Sequence, residues 1–527
     1  MSSLRAVLLG MALVVSASPL QAGVELMAGQ RARPLSGTFN RVPVLHSNQP
    51  EEVEGPGILI STTPGVSYAA ETGMPLRHAE YTFNGEFGIH MHHKYFPSYR
   101  SQIRAGDRRT ELTLGLILIN PGRNPVRIVF DRGAVRNSFE APYLSNNLLG
   151  VKPLGARPWN TGPGDATAVQ MLRGQLDRRL SEAVVLPPRS RLVLFRTPLP
   201  ALGIANALLR GHSNGPFQMA VVAASNPQGD GDLIQVLDQQ RLAPGRVYLN
   251  RIADIQSGRV FSRVGGVALG DTYTSSLKHD LRQEGPLHVP LTSTSRHHFG
   301  TREVQVNPLA SRMVDSALNN VGTYGVRFDV DLSLYGSGPY ELVLSHPAPS
   351  GGTSAFTAFR GSMQVSTPEG LQDLHVGMRS GQSLSLTTLN LRPGVANPVR
   401  LSLVYPADAT PGHLLSVVPA TQLAMVQERQ RRQPVVSTRP ATAPKTQASP
   451  RPSAPKPTAT AARSSTRPAG SRPQPQLSTG AGPSSLRPPS RLSSPRPIQL
   501  GVDQELLDRY REAMEAQQQQ MQRLMGR

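Results

Sequence analysis

From Glu111 the chain reads ELTLGLILIN, with Leu112, Leu114, Leu116 and Leu118 at every second position. It breaks at NPGRNP and resumes with Val126, Ile128 and Phe130. Period-two apolar positions share one face of a strand, so alternation on both sides of a Pro/Gly/Asn turn predicts a β-hairpin packed on one side. The pattern returns at YGVRFDVDLSLYGSGPYELVLSHP, where Phe328, Val330, Leu332 and Leu334 alternate before YGSGP. A second parallel links VVLPPRSRLVLFRTPLP from Val184 with LNLRPGVANPVRLSLVYPADATPG from Leu389: each sets a Pro turn before an alternating strand that closes on another Pro. The expected fold is mainly β, with two antiparallel β-sandwich-like domains at 33–240 and 247–420, a disordered tail and a C-terminal helix. The repeated units point to a duplication, although the order of the remaining strands does not obviously match. Two packed sheets bury such alternating faces against each other.

One short helix is expected in the first half. In GPGDATAVQMLRGQLDRRLSEA, Asp165 stands where an N-cap belongs, and Val169, Leu172, Leu176 and Leu180 recur at helical spacing, which predicts a capped surface helix.

The two ends of the chain differ from its middle. Residues 1–22, MSSLRAVLLGMALVVSASPLQA, carry one Arg, an apolar run from Ala6 to Val15 and then small residues, the form of a signal peptide cut after Ala22. That run is too short to cross a bilayer, and no later segment approaches the ~20 apolar residues a spanning helix needs. An exported protein without a transmembrane segment, periplasmic or extracellular, is expected. Cysteine is absent, so disulfides, thiolate metal sites and cysteine nucleophiles are excluded. Between residues 427 and 500, thirteen Arg and Lys stand against one acid, so this segment carries +12 of the formal +20. It also holds fifteen prolines and few large apolar residues, a composition that cannot offset its conformational entropy and predicts a disordered basic linker. Beyond it, 503–525 predicts an amphipathic helix whose Leu507, Tyr510, Met514, Met521 and Leu524 form an a/d stripe, a candidate surface for a protein partner or self-association.

Candidate chemistry centres on FGIHMHHKYFP. His90 and His92 share a strand face, with Glu86 on the same parity and His93 opposite, and a His-x-His strand pair suits a transition metal such as zinc, copper, nickel or iron. Nothing nearby supplies the third ligand that a catalytic site needs. The bland alternative is a histidine pair hydrogen-bonded within the sheet, or one titrating near neutral pH as a sensor. A second His-His, His297 and His298, either completes a site across domains or begins a loop. GHSNG from Gly211 has Gly-x-Ser-x-Gly spacing and is read as a turn rather than a nucleophile elbow. The basic linker interleaves Arg with Pro and lacks the aromatics of single-strand nucleic-acid binders, so anionic envelope polymers or lipid headgroups are the expected partners, and nucleic acid is not.

RPLSGTFNRVPVLHSNQPE, EGPGILISTTP, FGIHMHHKYFP, GTREVQVNPLASRMVDSALNNVGTYGVRFDVDLSLY, FRGSMQV and LSLVYPADATPGHLLSV occur in that order between Arg33 and Val418. Together they resemble a secreted cyanobacterial family, domain of unknown function 3370. The resemblance implies an exported β-rich protein and supplies no activity. It also implies that the family's adjacent histidine pair aligns with His92 and His93, with an aromatic residue usual at the place of His90. The expectation is a non-catalytic cell-envelope or extracellular binding or structural protein held by its basic tail, with no cofactor. The alternative is a metal-binding or metal-dependent periplasmic protein using His90, His92 and His93.

Overall fold

A computed structural model describes residues 25–104, 109–142, 149–155, 162–349, 355–407 and 409–432. The architecture is mainly β, in several antiparallel-rich sheets with a few short helices. The predicted signal peptide, nearly all of the basic linker and the terminal helix with Leu507, Tyr510, Met514, Met521 and Leu524 lie outside the described residues. No helix among the described residues is long and apolar enough to cross a membrane.

Both predicted hairpins are formed as strands, but their strands do not pair with each other. Glu111–Asn120 pairs with Ser190–Pro200, and Val126–Asn137 pairs with Ala183–Leu186. The NPGRNP turn therefore carries the chain between two segments of one long strand, Ile204–Ser225, which pairs with Glu111–Asn120 near its end and with Val126–Asn137 near its start. Arg327–Tyr335 and Gly338–Ser345 are likewise split, pairing with Asn397–Val404 and Ser383–Leu391. The one-sided packing expected of the first unit is also corrected. From Leu114 every residue to Asn120 is buried, because the helix Asp230–Asp238 covers the outer face. Gly115 lets it approach: a Cβ there would lie 2.9 Å from the Leu233 side chain.

Six strands of each half follow one topology. In the first half they are Phe83–Tyr95, Glu111–Asn120, Val126–Asn137, Ala183–Leu186, Ser190–Pro200 and Ile204–Ser225. In the second they are Leu287–Leu291, Arg327–Tyr335, Gly338–Ser345, Ser383–Leu391, Asn397–Val404 and His413–Pro419. In each set the second and fifth strands pair, and the fourth, third, sixth and first lie side by side in that order, all antiparallel. Each set encloses its own apolar core. One is built mainly from residues between Leu45 and Ala243, the other from Leu35 and residues between Tyr273 and Val417.

Chain segments cross between these cores. Thr38–Phe39 pairs with Thr272–Asp280, and Gly150–Pro153 pairs with Gly370–Arg379. In return, Gly265–Leu269 pairs with Pro43–Ser47 and so extends the first half's sheet. The predicted helix is present as Pro163–Leu172, but it ends before Leu176 and Leu180, and Gly162 rather than Asp165 caps it. It is not a surface helix. Nine of its ten residues are buried, and it packs on strands of both halves. Asp165 is 2 % exposed and accepts hydrogen bonds from Ser362 and from His375 Nδ1. A further helix, Ala420–Arg432, follows the last strand and spans the junction between the expected second domain and linker.

Candidate functional site

The His90 strand is paired on both sides. Ile204–Ser225 flanks it in antiparallel register and Pro43–Ser47 in parallel register, with His46 beside His90. Every residue from Phe87 to Tyr95 is consequently buried, polar ones included. Buried polar groups must be hydrogen-bonded, and the segment His46–Glu52 supplies most of the partners. His46 Nδ1 and His90 Nδ1 lie 3.1 Å apart, so one donates and the other accepts. His93 Nδ1 sits 2.7 Å from the carbonyl of Pro50, an acceptor only, which fixes the proton on Nδ1. His93 Nε2 then accepts from Ser47 Oγ at 2.8 Å, and both ring nitrogens are engaged.

His92 faces another partner. Its Nδ1 lies 3.0 Å from Asn206 Oδ1, while Asn206 Nδ2 donates to Thr167 Oγ1 on the buried helix. The amide's orientation places the His92 proton on Nδ1. A polar chain thus runs from the first half's sheet through Asn206 to Thr167, and two residues earlier Asp165 bonds Ser362 and His375 of the second half.

Lys94, 1 % exposed, forms an ion pair with Glu51 at 2.7 Å. Arg263 pairs with Glu51 at 3.1 Å and Glu52 at 3.2 Å, and Arg246 pairs with a fully buried Asp315 at 2.8 Å. Burial alone would raise the Glu51 carboxyl, but Lys94 and Arg263 outweigh it and hold the group well below the usual carboxylate range. The histidines respond in the opposite sense. Burial pushes His46 and His93 down to about 3, and pushes His90 well below its ordinary value, with His46, His92 and His93 adding to the effect. They are neutral at pH 7, so titration near neutral pH, one sequence-based alternative, does not fit their burial.

The arrangement is a seam of buried histidines and compensated ions. His90, His92 and His93 reach separate partners, and among the described residues no group of three or more His, Asp or Glu side chains is placed to hold a metal ion. Glu86 pairs with Arg210 at 3.2 Å instead of joining the histidines. His297 and His298 lie in the loop Thr294–Gly300, bonded within it. His297 is held below its ordinary value by burial, then by Arg296 and His298.

Sequence reasoning missed Glu51, Lys94, Arg263, Asn206 and the buried cluster of His346 and His413, whose rings lie 5.1 Å apart. The available signal was Lys94, a charge inside a run otherwise apolar or histidine.

The family described as protein of unknown function (DUF3370) matches residues 30–419. The chain belongs to this family. A comparison with curated proteins finds no match. The DUF3370 match takes in both sandwiches and the whole seam. It ends with the last strand, so the helix Ala420–Arg432 and the basic tail lie beyond it.

Proposed function

We propose that this chain is an exported, non-catalytic cell-envelope or extracellular binding and structural protein. Its sandwiches form a rigid body, and its basic tail holds that body to an anionic envelope polymer or lipid surface. One observation carries the reading. The body's most deeply buried charges are ion-paired within it, whereas net cationic charge gathers where the body ends, three Arg standing there against the single Glu428 that pairs with Arg431 and Arg432. Arg429, Arg431 and Arg432 occupy the last turn of Ala420–Arg432, and Arg431 and Arg432 have side chains 77 % and 78 % exposed. The Pro/Arg-rich segment follows at once. Cationic side chains on an extended chain attract anionic surfaces through a field that salt screens. The terminal stripe of Leu507, Tyr510, Met514, Met521 and Leu524 supplies a second, apolar contact for a protein partner or another copy.

Truncation after Arg432 preserves the helix and tests the tether. The shortened protein is expected to leave the envelope fraction for the soluble fraction, and high salt is expected to release the full chain. Removal of only 503–527 separates the two contacts: continued, salt-sensitive retention assigns attachment to the basic segment. Unchanged fractionation of the chain ending at Arg432 would overturn the proposal.

A further inference from the structure

Apart from the seam, the described residues leave a cleft of about 160 Å³ between Asn48–Glu51, the turn Val321–Tyr324 and the loops at Thr294–His297 and Thr410–Pro411. Its lining mixes polar and apolar side chains and includes three aromatic rings. Tyr248 and Phe261 meet edge to face with ring centroids 4.8 Å apart, and Tyr324 also lines the cleft. Gly322 admits the Tyr324 ring, since a Cβ at that position would lie 2.2 Å from it.

Three polar features define what such a cleft accepts. Asn48 is only 3 % exposed, yet its Oδ1 has no hydrogen-bond partner among the described residues. A buried amide oxygen left in that state favours a ligand that donates a hydrogen bond to it. Glu51 also lines the cleft, but Lys94 and Arg263 already neutralise it, so the floor does not call for an ammonium group. At the rim Arg296 is exposed and has no ion pair among the described residues, which favours an anionic substituent at the mouth.

A sugar ring combines these properties. Its hydroxyls donate, its C–H faces pack on aromatic side chains, and a ring carboxylate reaches a guanidinium. A few convergent polar groups set in an apolar concavity are the usual form of a small-molecule site. We propose that this cleft binds one acidic sugar ring of the uronic-acid class, with a ring hydroxyl on Asn48 Oδ1 and the carboxylate at Arg296. The proposal deepens the reading of the body as a binding protein and rests on that reading for its biological setting. Its test does not involve the tail, so either can fail without the other.

The test is saturation-transfer NMR and calorimetry on the purified full chain with D-glucuronate, D-galacturonate, methyl β-D-glucoside and benzoate. At least one uronate is expected to bind more tightly than the neutral glucoside. Arg296→Ala, at an exposed site, should remove that preference and leave glucoside binding unchanged. Asn48→Leu should weaken the uronate about tenfold, the equivalent of one lost hydrogen bond, with the melting temperature reported alongside. Should Asn48→Leu fail to fold, Arg296→Ala decides alone. Absence of binding by both uronates, equal uronate binding by Arg296→Ala, or binding of benzoate alone would overturn the assignment.

Discussion

His92 and His288 occupy corresponding places in the two halves. Each lies on the first strand of its set, opposite a polar residue of the sixth: His92 is in register with Asn206, and His288 with Ser416. Each hydrogen-bonds that partner through Nδ1, at 3.0 Å and 2.8 Å. Their surroundings differ. The His92 strand is interior, because Pro43–Ser47 continues the sheet towards Gly265–Leu269. The His288 strand is the edge of a four-stranded sheet, covered by the N-terminal segment: Arg33 N bonds the His288 carbonyl, and Gln30 accepts from His288 Nε2. One half therefore extends its sheet and must compensate every polar group it buries, with Lys94 needing Glu51 and Glu51 needing Arg263. The other closes its edge with a length of chain. The histidine and ion-pair seam follows from joining the halves through a continuous sheet, which accounts for its polar content without invoking chemistry.

Acid should produce the largest effect and shows whether the halves unfold together. His46 and His93 are pushed down to about 3, His288 and His346 to about 4, and His90 and His413 well below their ordinary value, each chiefly by burial. The unfolded chain, with ordinary histidines, binds more protons than the native one once pH drops below about 6.5. Stability is therefore complete above that pH and falls towards pH 4, by about 1.4 kcal/mol per unit for each fully shifted histidine. Acid should therefore erode stability through all of these groups together. A single acid transition is expected by far-UV and tyrosine circular dichroism, because strands from each half pair with the other. Two separated transitions would mean that the crossing strands do not couple the halves.

The next effect belongs to the first half alone. Lys94→Met leaves Glu51 buried with one cation fewer, and breaking a buried pair costs about 3–5 kcal/mol. Denaturant melts should show that loss for Lys94→Met and a similar one for Glu51→Gln. A cost below about 1 kcal/mol, the level of an exposed pair, would show that water reaches the seam.

The alternating segments and their turns were legible in the sequence because period-two patterns report which face of a strand is apolar. Which strand pairs with which was not legible. The same pattern fits a hairpin and two strands that pair elsewhere, and the choice depends on partners such as Ser190–Pro200, far along the chain. Asp165 misled for a related reason, since a carboxylate at a helix start looks the same whether it caps backbone or bonds Ser362 and His375. The histidines drew attention to the correct strand, but their partners Ser47, Pro50 and Asn206 come from other segments. Lys94 ran against the rule that charged residues face water, and only the joint presence of Glu51 and Arg263 makes its burial tolerable.

The corresponding pairs should respond unequally. Asn206→Ala removes the acceptor for His92 and the donor to Thr167 in the sheet interior, and stranding buried polar groups costs about 1–3 kcal/mol. Ser416→Ala removes a single hydroxyl from His288 at a sheet edge, where a loss of about 1 kcal/mol is expected. His288 and Ser416 are as buried as His92 and Asn206, so the smaller loss rests on His288 keeping Gln30 at Nε2, and equal losses would sink the contrast between the halves.

The smallest expected change sharpens the account of that edge. Gln30→Ala leaves the strand pairing intact and deletes only the side chain that accepts from His288 Nε2. If the N-terminal segment is a cover that water can replace, the loss should stay near about 0.5–1 kcal/mol, the net worth of an ordinary hydrogen bond. Amide exchange at His288 and Leu291 should then quicken while exchange in Phe83–Tyr95 stays unchanged. Faster exchange in both strands would make the segment part of the fold shared by the two halves, and the edge would no longer be a local feature of the second.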